Sequence, residues 1–277
     1  VQKITLEANP GDITAENIRA WRAIGINRLS MGVQSFNDRL LQLVGRRHSA
    51  EQAIQAIKTA QAEGISNISI DLMYALPGQT MTEWQADIDQ ALALHVPHIS
   101  SYGLIYEEGT PLTKCLEQGK VIAIDEEEEM QMYDYLVEQL TQHGYEHYEV
   151  SNFGLPGQHS KHNSSYWNDT PYLGLGAGAH SYDGNMRWWN IADVDTYISQ
   201  AMSHQLRPEQ EVISADEQHM ELVMLGLRTS KGVPCHAVDI DKAQVYIAEG
   251  YLVQRGDNII ATTQGYHILN RIIEDLL

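Results

Sequence analysis

Cysteine is scarce in this chain. Only Cys115 and Cys235 occur, far apart and in no spacing that holds a metal, which argues against a disulfide framework and for a reducing compartment, the cytoplasm. Basic charge is also short, with 18 Lys and Arg against 37 Asp and Glu and a net charge of -19. Such a surface repels phosphate backbones and anionic lipid alike, so nucleic acid is not an expected partner. No apolar run approaches the roughly 18 residues of a membrane span, and no charged-then-apolar leader opens the chain. Low-complexity linkers are missing too. What is present is 277 residues, 43% of them hydrophobic, enough for one large domain and a smaller one.

From Lys3 to about Gly109, runs rich in β-branched residues alternate with amphipathic stretches, the pattern of repeated parallel βα units. The strands are predicted at Ile4–Ala8, Arg28–Gln34, Asn67–Tyr74 and His98–Leu104. Helices are predicted near Ala15–Ile24, Ala50–Glu63 and Met81–Leu94, with Thr80 as an N-cap. The acidic run Asp125–Glu129 reads as a solvated helix start, favoured by the helix dipole. A further strand is predicted at Tyr148–Phe153. After about Glu209 a helix, a hairpin within Gly250–Gly265 and a closing helix read as a small winged-helix-like appendage. Its acidic context argues against DNA binding.

In parallel sheets ligands bind at the carboxyl ends of the strands. Glu7, Gln34, Arg46 and Asp71 fall at such ends in consecutive units. Together they suit a small zwitterionic cofactor with ribose hydroxyls, because carboxylates accept from its hydroxyl and ammonium groups while an arginine pairs with its carboxylate.

The segments that carry these residues are Leu6-Glu-Ala-Asn-Pro10, Asn27-Arg-Leu-Ser-Met-Gly-Val-Gln-Ser-Phe36, Leu43-Val-Gly-Arg-Arg-His48 and Ile70-Asp-Leu-Met-Tyr-Ala-Leu-Pro-Gly-Gln-Thr80. They resemble strand motifs of the radical-SAM oxygen-independent coproporphyrinogen III oxidases and their HemW-type haem chaperone relatives. Ser100-Ser-Tyr-Gly-Leu104, Tyr148-Glu-Val-Ser-Asn-Phe153 and Gly174-Leu-Gly-Ala-Gly-Ala-His-Ser181 extend the resemblance over essentially the whole chain. It implies an α/β fold: a partial parallel (β/α)6-type radical-SAM barrel over residues 1–205, lacking its first strands, and the winged-helix-like α+β domain over 206–277. It also implies S-adenosylmethionine contacts at Glu7, Gln34, Arg46 and Asp71, beside a [4Fe–4S] cluster. The three cysteines that would hold the cluster, spaced C-x3-C-x2-C, are not in this chain, so no metal ligand and no catalytic residue is assigned. The chain opens on what resembles the family's third strand, and an amino-terminal part is expected to precede it.

His162-Asn-Ser-Ser-Tyr-Trp167 resembles a string associated with haem binding in the HemW-type proteins, which makes His162 the candidate axial haem ligand on a loop rich in aromatic rings. His48 and His180 read as ordinary hydrogen-bonding residues, and both cysteines as small packing residues. The Gly174–Ala179 stretch matches a dinucleotide fingerprint only formally, since no hydrophobic strand precedes it, and reads as a close-packed loop. The implied function is a cytoplasmic haem chaperone. Its partners would be haem or porphyrin and haem-accepting client proteins, with peripheral contact to membrane-bound clients. The alternative is porphyrin biosynthesis, as a coproporphyrinogen III oxidase. The chaperone reading is preferred because Glu-Ala-Asn-Pro and Gln-Ser-Phe stand where the oxidases tend to have Asp-Pro-Arg-like and Gln-Asp-Phe strings.

Overall fold

Four of the β-branched runs form parallel neighbours: β1 (Thr5–Ala8), β2 (Arg28–Gln34), β3 (Ile68–Tyr74) and β4 (His98–Gly103). This is seen in a computed structural model that describes residues 3–277. Between the strands run α1 (Ala15–Ala23), α2 (Asp38–Leu43), α3 (Ala50–Ala62) and α4 (Met81–Ala93). Ser49 and Thr80 start α3 and α4 with full capping boxes, their hydroxyls accepting from Gln52 and Glu83 N–H while those side chains reach back to the cap. The helix α5 (Pro111–Glu117) carries Cys115, and α6 (Glu126–Gln142) follows the Asp125 cap.

The predicted strand at Tyr148–Phe153 is instead a hairpin, β5 (Glu146–Glu149) and β6 (Asn152–Gly154). The Glu149 carboxylate accepts from the Ser151 N–H at 3.1 Å and from the Asn152 side chain, which turns the chain back on itself. The hairpin adds antiparallel to β4, giving the order β1-β2-β3-β4-β6-β5 in an open sheet.

Side chains alternate across a strand, and this sheet sorts them by polarity. Leu29, Met31, Val33, Ile68, Ile70, Leu72 and Ile99 are all fully buried on one face, with Ile18, Ile57, Trp84, Ile88 and Leu136 of the helices also fully buried. Each such side chain contributes about 1.5–3 kcal/mol on leaving water, which is what seats the helices. The alternate positions of the same strands are mostly polar: Arg28, Ser30, Ser69, Asp71, His98 and Ser100.

Residues 3–159 form one compact unit and residues 160–277 a second. The second begins with α7 (Lys161–Trp167), then β7 (His180–Tyr182), β8 (Met186–Trp189), α8 (Val194–Met202) and β9 (Glu209–Val212), the strands pairing antiparallel in that order. Because β9 pairs with β8, the domain boundary expected at 205/206 falls inside a sheet. The tail continues as α9 (Ala215–Gly226), β10 (Val233–Pro234), α10 (Ile240–Ala248), the hairpin β11 (Leu252–Arg255) and β12 (Asn258–Ala261), α11 (Thr263–His267) and α12 (Leu269–Leu276). Val223, Leu227, Val233, Ala243, Ile259 and Ile272 are fully buried in its own hydrophobic cluster. Among the described residues, no helix is long and apolar enough to cross a membrane.

Candidate functional site

On the polar face of the first unit, matched positions across the strands read Glu7–Ser30–Ser69–His98 in one row and Asp71–Ser100–Asn152 in the next. A parallel sheet usually buries apolar side chains on both faces, so a polar row inside it marks a ligand surface. The structure gathers the four candidate cofactor residues there. The half-buried Asp71 carboxyl takes a hydrogen bond from Ser100 and feels the charges of Glu7, Arg28 and Arg46. Gly32 has room for no side chain without pressing on Gln34: a Cβ there would come within 3.0 Å of Gln34 Nε2 and 3.7 Å of an Arg46 guanidinium nitrogen. Gln34 is itself held in the left-handed region, φ 69°. A cavity of about 480 Å³ opens on the Arg46 side, lined by Asn9, Gly11, Arg46, Arg47, His48 and Gln52. Glu7, Gln34 and Asp71 do not line it.

Charges on this face are set by burial. Burial pushes the Asp71 carboxyl up to about 6, against the Ser100 hydrogen bond; the like charge of Glu7 adds to the rise, and both arginines oppose it. Burial also lowers the Arg28 guanidinium from its usual value, while Tyr148, Asp71 and Glu7 favour its charge. Arg28 Nε and Asn152 Oδ1 are buried and lack a hydrogen-bond partner among the described residues. Behind them His98, fully buried, bridges Ser69 Oγ and the Tyr148 hydroxyl at 2.7 Å each, and burial drops it to about 3, so it is neutral at pH 7.

The sign of the Asp71 shift makes a prediction. A carboxyl raised in the folded state from 3.8 to about 6 lends stability that is complete below pH 4 and is lost as the pH climbs through 6. The wild type should therefore fall in stability relative to Asp71→Asn between pH 4.5 and 7, read from urea denaturation at each pH. Parallel curves would refute it.

Sequence reasoning passed over Arg28, His98, Tyr148 and Asp87. Asp87 sits on the buried side of α4 beside Trp84, Ile88 and Ala91. Its carboxylate accepts from Ser35 Oγ at 2.7 Å and from the Phe36 N–H at 2.6 Å, fastening the residues that follow Gln34. The available signal was a carboxylate in an apolar helix stripe, together with period-2 polar residues inside strands otherwise read only for their β-branched content.

In the second unit, His162 lies on α7 and not on a loop, one turn before Tyr166. Its Nε2 is 3.1 Å from the Tyr166 hydroxyl, with the rings edge-on at 5.1 Å. Tyr166 meets Tyr172 edge-on at 4.8 Å, and Tyr172 pairs with Tyr182 through a β-bridge. Arg187 covers the Tyr182 ring at 5.3 Å and forks onto Glu221 at 2.5 and 2.7 Å. The loop after Tyr172 runs into β7 rather than a helix, so Gly174–Ala179 forms no dinucleotide turn. His180 stacks on Trp189 at 5.6 Å, and His48 Nε2 is 3.1 Å from the Val33 carbonyl.

A radical SAM superfamily pattern matches residues 1–91. The chain is 37% identical over 288 residues to the Heme chaperone HemW of Lactococcus lactis, covering 100% of this chain and 76% of that protein. The chain belongs to the HemW family of radical SAM proteins. A second HemW, from Bacillus subtilis, is 39% identical over 84% of this chain and 62% of its own length. Coproporphyrinogen III oxidase HemN from Escherichia coli shares the fold, with a TM-score of 0.79 at 21% identity over 98% of this chain and 69% of that one.

Membership of the radical SAM superfamily implies S-adenosylmethionine and a [4Fe–4S] cluster. The polar face fits the former: carboxylates at Glu7 and Asp71 for hydroxyl and ammonium donors, guanidinium at Arg46 for a carboxylate, and the unpartnered Asn152 Oδ1 as a further acceptor. The cluster does not fit this HemW chain. Among the described residues no three His, Cys, Asp or Glu come together as a metal site, and the cysteines number two, one in each unit.

Proposed function

We propose that this chain is the larger part of a cytoplasmic haem chaperone that holds S-adenosylmethionine at Glu7, Gln34, Arg46 and Asp71 and haem at His162, and passes haem to client proteins. The observation that carries the reading is an exposed imidazole heading a ladder of tyrosine rings, in a chain whose relatives are named for haem. Imidazole ligates haem iron, and flat aromatic surfaces favour a porphyrin face. S-adenosylmethionine supplies radical chemistry only beside a reducing cluster, and the residues of this chain contribute its binding: Asp71 and Glu7 accept, Arg46 pairs and Gln34 orients.

Haem titration followed at the Soret band tests the proposal. His162→Ala is expected to shift the band and to weaken haem binding at least about tenfold, the loss of one axial bond outweighing what the rings retain. An unchanged titration would overturn the assignment of His162. In the full-length protein, conversion of coproporphyrinogen III to protoporphyrinogen IX would overturn the chaperone reading in favour of the oxidase.

A further inference from the structure

We infer that the Tyr166 hydroxyl is a latch on the haem-ligating nitrogen of His162, competing with iron for Nε2 and so keeping haem exchangeable. The inference rests on the reading of His162 as a haem ligand and adds a positioning residue to it. A neutral imidazole has one lone-pair nitrogen. Of the two ring nitrogens, Nδ1 lies against the Cβ stem and the helix, where a planar macrocycle collides, whereas Nε2 is the outermost atom and the one an iron can approach. That atom is the one the Tyr166 hydroxyl meets, at 3.1 Å, from the position one helical turn later on the same face.

The tyrosine is 45% exposed, yet neighbouring rings hold it in place. Its ring is wedged between His162 at 5.1 Å and Tyr172 at 4.8 Å, edge-on to both. Tyr172 in turn is fixed by two backbone hydrogen bonds of 2.9 Å to Tyr182, and the Tyr182 hydroxyl is bound to Asp169 and to the Gly184 carbonyl. The latch is therefore set in place by the chain fold beyond α7. With the hydroxyl donating to Nε2, the ring proton resides on Nδ1. Haem binding breaks one O–H···N hydrogen bond and forms one Fe–N bond to the same lone pair, and the freed hydroxyl turns to water. When an acceptor draws the haem away, the hydroxyl recaptures the nitrogen.

Tyr166→Phe removes the hydroxyl and leaves the ring that packs on Tyr172. It is expected to bind haem about fivefold more tightly, the magnitude of one hydrogen bond no longer given up, with the Soret maximum of the wild type and unchanged circular dichroism. Transfer of haem from the variant to apomyoglobin, used as a neutral acceptor, should slow by a similar factor. His162→Ala run in parallel should lose the wild-type ligation signature and regain it with added imidazole. Affinity and transfer rate in Tyr166→Phe equal to wild type, or weaker binding, with His162→Ala still losing the signature, would overturn the latch and leave the haem site standing. A signature that survives His162→Ala would overturn both.

Discussion

Asp87→Ala should cost about 3 kcal/mol of unfolding free energy at pH 7, because it strands one buried and one part-buried donor at once. Asp87 is 1% exposed, and its two oxygens receive the Ser35 hydroxyl and the Phe36 N–H. Ser35 Oγ also accepts from the Asn37 N–H at 3.0 Å, so the whole exit from β2 hangs on this carboxylate. That exit holds Gln34 at φ 69°, a conformation a non-glycine residue keeps only when its surroundings enforce it. With Gln34 as the proposed S-adenosylmethionine contact, loss of the anchor should weaken that binding in step with stability. Asp87→Asn retains one acceptor oxygen and should cost less. Since burial pushes the Asp87 carboxyl up to about 6, that variant should also remove a stability term lost as pH rises through 6. Urea denaturation by circular dichroism gives the numbers; a loss below 1 kcal/mol for the alanine variant would show that water satisfies the loop.

Gly174→Ala is expected to destabilise the second unit by about 3 kcal/mol, at the upper end of overpacking costs. A Cβ at Gly174 would collide with the His180 backbone carbonyl oxygen, and no rotamer change can relieve a backbone contact. The neighbouring bonds leave little freedom: the Gly174 N–H donates to Ser181 Oγ at 3.0 Å, and Gly176 is gripped by Tyr197 and Asn190. Gly178→Ala is the internal comparison. There φ is 68°, but the nearest atom to a Cβ is 3.7 Å away in Ala192, so about 1 kcal/mol of backbone strain is expected. Thermal melting of the two variants separates collision from strain; equal losses would mean that the close approach at Gly174 relaxes.

Local patterning was enough for the regular elements. β2 begins and ends where its residue types place it, and α1, α3 and α4 end within one residue of expectation, because caps such as Thr80 and amphipathic periodicity act within a single turn or strand. The hairpin at Glu149–Asn152 was not legible, since a carboxylate turning back on its own backbone competes with strand extension only once β4 offers an edge. The position of His162 on a helix was missed for a similar reason: Ser160 caps a stretch of Asn, Ser, Tyr and Trp with little helix propensity, and it is the Tyr172–Tyr182 bridge that gives Tyr166 a ring to pack on.

By itself, the sequence determined the βα alternation, the acidic surface, the family and the identity of the residues at the strand ends. These depend on residue type and near-neighbour spacing. Only the tertiary structure decided that Arg28 lies near Glu7 and Asp71, that Asp87 on α4 fastens the residues that follow Gln34, and that a hydroxyl sits on the nitrogen of His162. Those pairings join residues from different elements or set one side chain against another's free atom, and the charge and hydrogen-bond state of each follows from burial, which exists only in the folded chain.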